Sequence, residues 1–340
     1  MNLPVMPEVS PMLSKGAPRI PAGEGWVYEP KWDGFRGIVF RDGDEVHIGS
    51  RNGQPLERYF PELVEWLKEA LPARCVLDGE IVVGTAAGLD FDALSQRIHP
   101  AASRVQRLAA ETPASFVAFD ILAIDDLDLR QARFDERRAR LVDAVHRHDH
   151  VGLTPQTSDP EEAESWFTRY EGAGCDGVVA KRVEQVYAPG LRVMVKVKHT
   201  RTIDCVVGGY RLYAAGPGIG SMLLGLYDRN GVFHFVGHTS SFNASERKEL
   251  LTKLQAYSAG DSFGEGRTPG EPSRWSAGKD ASWFSVRPEL VCEVAFERMQ
   301  GPRFRHSARL LRWRTDKAPA ECTFDQLELP EPFDLGQILR

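Results

Sequence analysis

The sequence predicts an α+β fold followed by a small Greek-key β-barrel. Three observations carry that expectation. From residue 27 to 198, strand-like apolar runs alternate with amphipathic helical runs and with turns rich in glycine and aspartate. After His199-Thr200 the texture changes to short apolar strands broken by glycine around one helix. A chain of 340 residues also favours two domains over one. The boundary is placed at 198–204, giving domains 1–200 and 201–340.

Residues 1–25 are rich in proline and glycine, with apolar Leu3, Val5, Met6, Met12 and Leu13, and read as an arm laid over the first domain. Val27-Tyr28 leads into Glu29-Pro30-Lys31-Trp32-Asp33-Gly34-Phe35-Arg36. Pro30 and Asp33-Gly34 argue against a helix there and for a strand end entering a tight turn, which can hold Lys31 and Arg36 at one mouth. Arg36 to Arg41 alternates like a half-buried strand, Asp42-Gly43-Asp44 turns it, and Glu45 to Ile48 returns. A helix is expected at about 58–71, another over Phe91 to Arg107, and a charged one over about 135–148. Ser115 to Leu122 reads as a buried strand, and Asp159-Pro160 as an N-cap and first turn. In the second domain, Cys205–Tyr210, Met222–Tyr227, Val232–Val236 and Leu290–Phe296 are the strands, and Asn243 with Glu246 spaces a capping box before a helix at 245–257.

The formal charge of −6 hides an uneven distribution. Residues 1–200 carry 24 Lys and Arg against 31 Asp and Glu, and residues 201–340 carry 18 against 17. Within 298–317 seven basic residues face one acid, a plausible phosphate-contacting surface inside an acidic chain, the alternative being a solvated face. The five cysteines are scattered without C-x-x-C spacing, which suits reduced thiols in a cytosolic compartment. No apolar run approaches 18 residues and no basic segment leads into an apolar one at the start, so neither a membrane span nor a secretion signal is expected.

Six stretches carry chemistry as a set: Lys31-Trp-Asp-Gly-Phe-Arg36, Ser50-Arg-Asn-Gly53, Asp78-Gly-Glu80, Phe116-Val-Ala-Phe-Asp120, Asp176-Gly-Val-Val-Ala-Lys181 and Val195-Lys-Val-Lys198. Each lies at a strand end or turn, where side chains can converge on a pocket. Together they supply one candidate nucleophile, several cations, two separated carboxylates and an aromatic ring. That inventory fits nucleotidyl transfer to a lysine. Taken singly, each has a plainer reading: Glu80 as a solvated strand-end acid, Phe119 as core, Arg51 as turn decoration. Gly216-Pro-Gly218-Ile-Gly220 lacks the G-x-x-x-x-G-K pattern and reads as a hairpin loop.

In this order the set resembles the covalent nucleotidyltransferase superfamily, and most closely the bacterial ATP-dependent DNA ligases of the ligase C and ligase D ligase-domain type. Lys31-x-Asp33-Gly34-x-Arg36 matches the superfamily's nucleophile motif, the other five its pocket motifs, and Arg314-Thr-Asp316-Lys317 its C-terminal R-x-D-K motif. The resemblance covers roughly residues 25–320. It implies a nucleotidyltransferase (ATP-grasp-like adenylation) domain with antiparallel sheets, followed by an OB-fold barrel. It departs from the family in having Asp176 where glutamate is common, and in lacking a tryptophan or leucine before Lys196.

The resemblance implies that Lys31 attacks the α-phosphate of ATP, expels pyrophosphate and carries AMP. AMP then passes to a DNA 5′-phosphate, and the 3′-hydroxyl displaces it. An ammonium has no lone pair, so the amine must lose a proton first, which Lys196, Lys198, Arg36 and bound Mg²⁺ (or Mn²⁺) would favour. By the same correspondence Lys196 and Lys198 clamp the α-phosphate, and Glu80 holds the ribose or a metal-bound water. Asp176 serves the catalytic metal, Phe119 stacks on adenine, and Glu29 accepts from the adenine amino group. Arg36 and Arg51 contact ribose or nick phosphates, and Arg314 and Lys317 meet the leaving pyrophosphate.

The expected substrate is nicked duplex DNA in DNA repair, handled by a monomer in the cytoplasm at the nucleoid, with Ku or a repair polymerase as candidate protein partners and the loop at 259–282 as a candidate clamp. The alternatives are an RNA ligase or mRNA-capping guanylyltransferase, or a non-catalytic nucleic-acid-binding module.

Overall fold

The computed structural model describes residues 1–258, 262–264, 269, 282–327 and 330–338. The chain divides into two compact units, Met1–Lys198 with Leu329–Arg340, and His199–Glu328. The main strands of the first are β1 (Leu13–Gly16), β2 (Trp26–Pro30), β3 (Phe35–Asp42), β4 (Glu45–Ser50), β5 (Arg74–Val82), β6 (Ser115–Ile124), β7 (Val151–Leu153), β8 (Gly177–Arg182) and β9 (Arg192–Lys198). Its helices are α1 (Pro61–Ala70), α2 (Phe91–Arg97), α3 (Ala102–Glu111), α4 (Phe134–Ala144) and α5 (Pro160–Arg169).

Local chemistry explains these elements. Pro61 opens α1, where its missing N–H is not needed, and Leu63 and Leu67, one turn apart, are fully buried. Burying each contributes about 2 kcal/mol. The single helix expected from Phe91 to Arg107 is two helices, α2 and α3, parted by a break that holds Pro100. A proline there cannot donate the hydrogen bond that would continue the first helix.

The strands form two sheets, ordered β1-β9-β8-β2 and β7-β6-β5-β3-β4. Neighbours are antiparallel except β1 with β9 and β7 with β6. The sheets face each other across Ile38, Phe40, Val76 and Leu122 on one side and Met194 on the other, with Leu3, Val5 and Met12 of the N-terminal arm in the same cluster. The outer face of the second sheet packs on α1 and α4 through residues such as Val39, Leu77 and Leu141. The outer face of the first packs on α5 through Tyr28, Val178, Ala180 and Val195. The segment from Lys31 to Gly34 joins β2 of one sheet to β3 of the other.

The second unit holds β10 (Arg201–Leu212), β11 (Ile219–Tyr227), β12 (Phe233–Thr239), α6 (Ala244–Gln255), β13 (Val291–Phe296) and β14 (Arg309–Trp313). Asn243 and Glu246 close the capping box on α6 reciprocally. The five strands run β12-β11-β10-β13-β14, all antiparallel. At the sheet's ends a parallel bridge joins Thr239 to Ala308, and the Ala308 N–H donates to the His238 carbonyl at 2.8 Å. Third and fifth strands of the unit thus meet, with the helix between the third and fourth. This is the oligonucleotide-binding strand order, its edges joined at a bridge rather than by a continuous ladder. The loop at 259–282 falls, apart from residues 262–264, 269 and 282, outside the described residues. Among the described residues no helix is long and apolar enough to cross a membrane.

Candidate active site

Alternation along β9 sets the polarity of the site. Val195 and Val197 are buried, Val195 in the cluster over α5, so Lys196 and Lys198 point to the opposite face, toward the facing sheet. Glu29, Val179 and Lys196 stand on one rung across β2, β8 and β9, and Gly177 pairs with Lys198 two residues along. Two lysines and a glutamate therefore share one sheet face.

Lys31 lies one residue past β2 and is fixed by both backbone and side chain. Its N–H donates to the Gly177 carbonyl at 2.8 Å, and its carbonyl accepts from the Asp176 N–H at 2.7 Å. Its ammonium donates to Asp176 Oδ2 at 2.8 Å, and Lys198 Nζ lies 3.3 Å from the same oxygen. Burial pushes the Asp176 carboxyl up, but Lys31 and Lys198 outweigh it and hold the group below its ordinary value. Gly177 has φ of +132°, and a Cβ there would overlap the Val197 carbonyl oxygen; a Cβ at Gly34 would overlap that of Ile81. Trp32, buried behind the lysine, donates from Nε1 to Thr154 Oγ1 at 2.9 Å.

On the facing sheet Arg36 and Glu80 are direct cross-strand partners. Arg36 forks onto Asp78, with Nη2 donating to Oδ2 at 2.6 Å, and Tyr187 donates its hydroxyl to the same oxygen at 2.6 Å. Burial pushes the Tyr187 hydroxyl well up, with Asp78 adding to it. For Arg36, burial works against the charge but Asp78 overrides it and raises the guanidinium. Glu80 is pushed up to about 7 by burial, opposed by Arg36 and Lys31 and reinforced by Asp78 and Asp33.

Phe119 stands at a β-bulge. Asp78 pairs with Asp120 and Gly79 with Ala118, leaving Phe119 without a partner on β5. The Arg36 guanidinium lies 4.4 Å and the Lys181 ammonium 4.8 Å from its ring centroid. Lys181 is also buried against Glu29, Nζ to Oε2 at 2.7 Å, while Gln156 Nε2 donates to Glu29 Oε1 at 3.2 Å. Aromatic ring, carboxylate and ammonium thus form one cluster.

Arg314 and Lys317 lie in the second unit and converge on one buried carboxylate. Arg314 Nη1 donates to Asp204 Oδ2 at 2.8 Å and Lys317 Nζ to the same oxygen at 2.9 Å, while Arg314 Nη2 holds Asp316 at 2.9 Å. The hydrogen bond from Arg314 pushes Asp316 down to about 2. Arg51 is exposed in the turn after β4 and makes no hydrogen bond or ion pair among the described residues. No group of three or more His, Cys, Asp or Glu able to hold a metal ion occurs among the described residues.

Of the residues singled out from sequence, Lys31, Asp176 and Lys198 are brought together on one side, and Arg36, Glu80 and Phe119 on the other. Lys196 shares the rung of Glu29. Sequence reasoning missed Lys181, Asp78, Tyr187 and Asp204. Lys181 and Asp78 sit inside the six stretches, and their signal was a charge embedded in an otherwise apolar strand.

Two facing, mainly antiparallel sheets with a lysine where the chain crosses between them, and a five-stranded Greek-key unit beyond, make this a nucleotidyltransferase-like ligase fold. Residues 11–198 match the ATP dependent DNA ligase domain and residues 215–317 the ATP dependent DNA ligase C terminal region. The chain belongs to the ATP-dependent DNA ligases. It is 51% identical to DNA ligase C of Mycobacterium tuberculosis over 361 aligned positions, covering 100% of this chain and 99% of that one. It is 31% identical to the multifunctional non-homologous end joining DNA repair protein LigD of the same organism, over 87% of this chain and 37% of that one. A solved structure from a study of DNA binding by Lig E DNA ligases shares the fold with a TM-score of 0.56 at 18% identity, covering 90% of this chain and 99% of that one.

Proposed function

We propose that this chain seals nicks bearing a 5′-phosphate and a 3′-hydroxyl in duplex DNA through an AMP carried on Lys31. The observation that carries the reading is the fixation of Lys31 by Asp176, with Lys198 on the same carboxylate oxygen. In the first step Lys31 Nζ, having lost a proton to water, bonds to the α-phosphorus of ATP as the bond to pyrophosphate breaks. The 5′-phosphate of the nick then takes the adenylyl group and the phosphorus–nitrogen bond breaks. Finally the 3′-hydroxyl attacks that 5′-phosphorus and AMP leaves.

Each residue's part is proposed from its surroundings or from the family correspondence. Asp176, held below its ordinary value, is an orienting anion for Lys31 and Lys198 rather than a store for the lysine's proton. Lys196 and Lys198 face the side where the α-phosphate would lie, where fixed cations stabilise the charge that builds during transfer. Phe119 and Glu29 would receive adenine, its ring on the one and its amino group on the other. Arg36 and Arg51 would meet ribose or nick phosphates, and Arg314 and Lys317 the leaving pyrophosphate.

Asp176 and Glu80 offer hard oxygen donors of the kind Mg²⁺ or Mn²⁺ takes as one or two carboxylates beside phosphate oxygens and water. Such an ion would be shared with the phosphate oxygens of ATP. When bound it would neutralise phosphate charge. A repair setting fits the relationship to an end-joining DNA repair protein, and a monomeric state with Ku or a repair polymerase as partners completes the proposal.

Intact-mass measurement with ATP, and in parallel with GTP, tests the reading. A gain of one AMP, absent in Lys31→Ala, is expected. An adduct formed only with GTP, or none under any divalent cation, would discard it. Comparing nicked DNA with nicked RNA then fixes the substrate.

A further inference from the structure

Residues 330–338 follow the second unit in the chain but belong to the first. Leu335 and Ile338 are buried there in one cluster with Trp32, Leu89, Ala173 and Cys175. The Phe333 ring lies 5.2 Å from the ring of Tyr170 and 4.9 Å from the guanidinium of Arg169. The seat is shaped for this segment. Gly172 lies so close beneath Glu331 that any Cβ would overlap its carbonyl oxygen, and a Cβ at Gly84 would come 2.8 Å from Leu335 Cδ2.

Two of the residues under the segment have particular neighbours. Trp32 follows Lys31, and Cys175 precedes Asp176. Those neighbours are the pair joined through backbone and ion pair. We infer that residues 330–338 form a strap that presses on Trp32 and Cys175 and so positions Lys31 against Asp176 for adenylation. Without it, Trp32 and Cys175 lose part of their packing, and the short loop that carries the nucleophile loses one wall. The strap acts through position, by way of Trp32 and Cys175. A misplacement of about 1 Å can cost about a hundredfold in rate.

This inference rests on the lysyl-AMP reading, and the experiment keeps the two apart: adduct formation by the unaltered chain tests that reading, and the ratio of variant to unaltered chain tests the strap. Two variants of the full chain are compared, one lacking residues 330–340 and one carrying Gly172→Val, which keeps the segment but fills its seat. All five cysteines are buried as free thiols, so alkylation of Cys175 by iodoacetamide, followed by peptide mass, reports undocking. Single-turnover adduct formation is measured across ATP concentrations. Both variants should alkylate Cys175 faster and form the adduct about ten to a hundred times more slowly at saturating ATP. The half-saturating ATP concentration should change little. A synthetic peptide of residues 330–338 should restore the shortened chain but not Gly172→Val. Cys175 exposure with an unchanged adduct rate would overturn the strap, as would continued protection of Cys175 in the shortened chain. Should the shortened chain fail to fold, Gly172→Val and Leu335→Asn, checked by circular dichroism, decide by the same criteria.

Discussion

Lys31 and Asp176 are joined twice, 145 residues apart in sequence. The ammonium donates to Oδ2 at 2.8 Å, and the Asp176 N–H donates to the Lys31 carbonyl at 2.7 Å. The backbone link sets where the nucleophile begins, and the ion pair sets where it points. Asp176→Asn keeps the first and weakens the second, so adduct formation should fall about a hundredfold, the scale of losing one preorganised electrostatic contact. Asp176→Glu, the residue common in the family, should retain more activity than the amide. Lys31→Ala should give no adduct at all. Single-turnover adenylation checks the series, and an asparagine variant at full speed would remove Asp176 from the site.

Arg314 and Lys317 share Asp204, which is 7% exposed. If the two cations serve the leaving pyrophosphate, Arg314→Ala should slow adduct formation and spare the sealing of pre-adenylated nicks. Equal loss in both assays would cancel that assignment. Asp204→Asn leaves two cations around a neutral amide, and breaking a largely buried pair in this way costs about 3 kcal/mol. Denaturant unfolding of the variant should show that loss.

What the sequence made legible was chemistry confined to short stretches. Lys31, Arg36, Glu80, Asp176 and Lys198 stand out because each sits in a compact pattern at a strand end. The alternation of β9 likewise separates its valines from its lysines without any structure. Partners drawn from distant segments were not legible. Nothing near Asp204 announces Arg314, 110 residues on, and nothing near Tyr187 announces Asp78, 109 residues back. Periodicity reports which face of a segment is buried, not what is buried against it. The break between α2 and α3 was missed for a smaller reason: the apolar spacing continues across Pro100, and one missing donor ends the helix.

Tyr187 reaches Arg36 through Asp78, a chain of two hydrogen bonds centred on a fully buried carboxylate. Tyr187→Phe removes a donor to a charged acceptor, a bond worth about 2 kcal/mol. Stability should fall by about that amount. Arg36 should also become less fixed over Phe119, so sealing should suffer more at limiting than at saturating nicked DNA. Asp78→Asn should be worse on both counts, because Arg36 then loses its counter-charge. A phenylalanine variant with unaltered unfolding midpoint would show that the hydroxyl contributes nothing to the chain.

Glu80 gives a pH signature whose sign follows from its environment. Its ordinary value is 4.5, and burial, with Asp78 and Asp33 adding to it, pushes the folded group up to about 7 against Arg36 and Lys31. Below its ordinary value the carboxyl is protonated in folded and unfolded chains alike, and its contribution to stability is complete. As pH rises from about 4.5 to about 7 the unfolded chain releases this proton first, so stability is lost progressively, and above about 7 the loss is constant. Glu80→Gln cannot ionise. The stability of the glutamine variant relative to the unaltered chain should therefore rise across that window and then level off. Adduct formation by the unaltered chain should likewise show a titration near 7 that the variant lacks. Parallel unfolding curves for the two chains across the window would mean that Glu80 ionises at its ordinary value, the cations of Arg36 and Lys31 fully offsetting its burial.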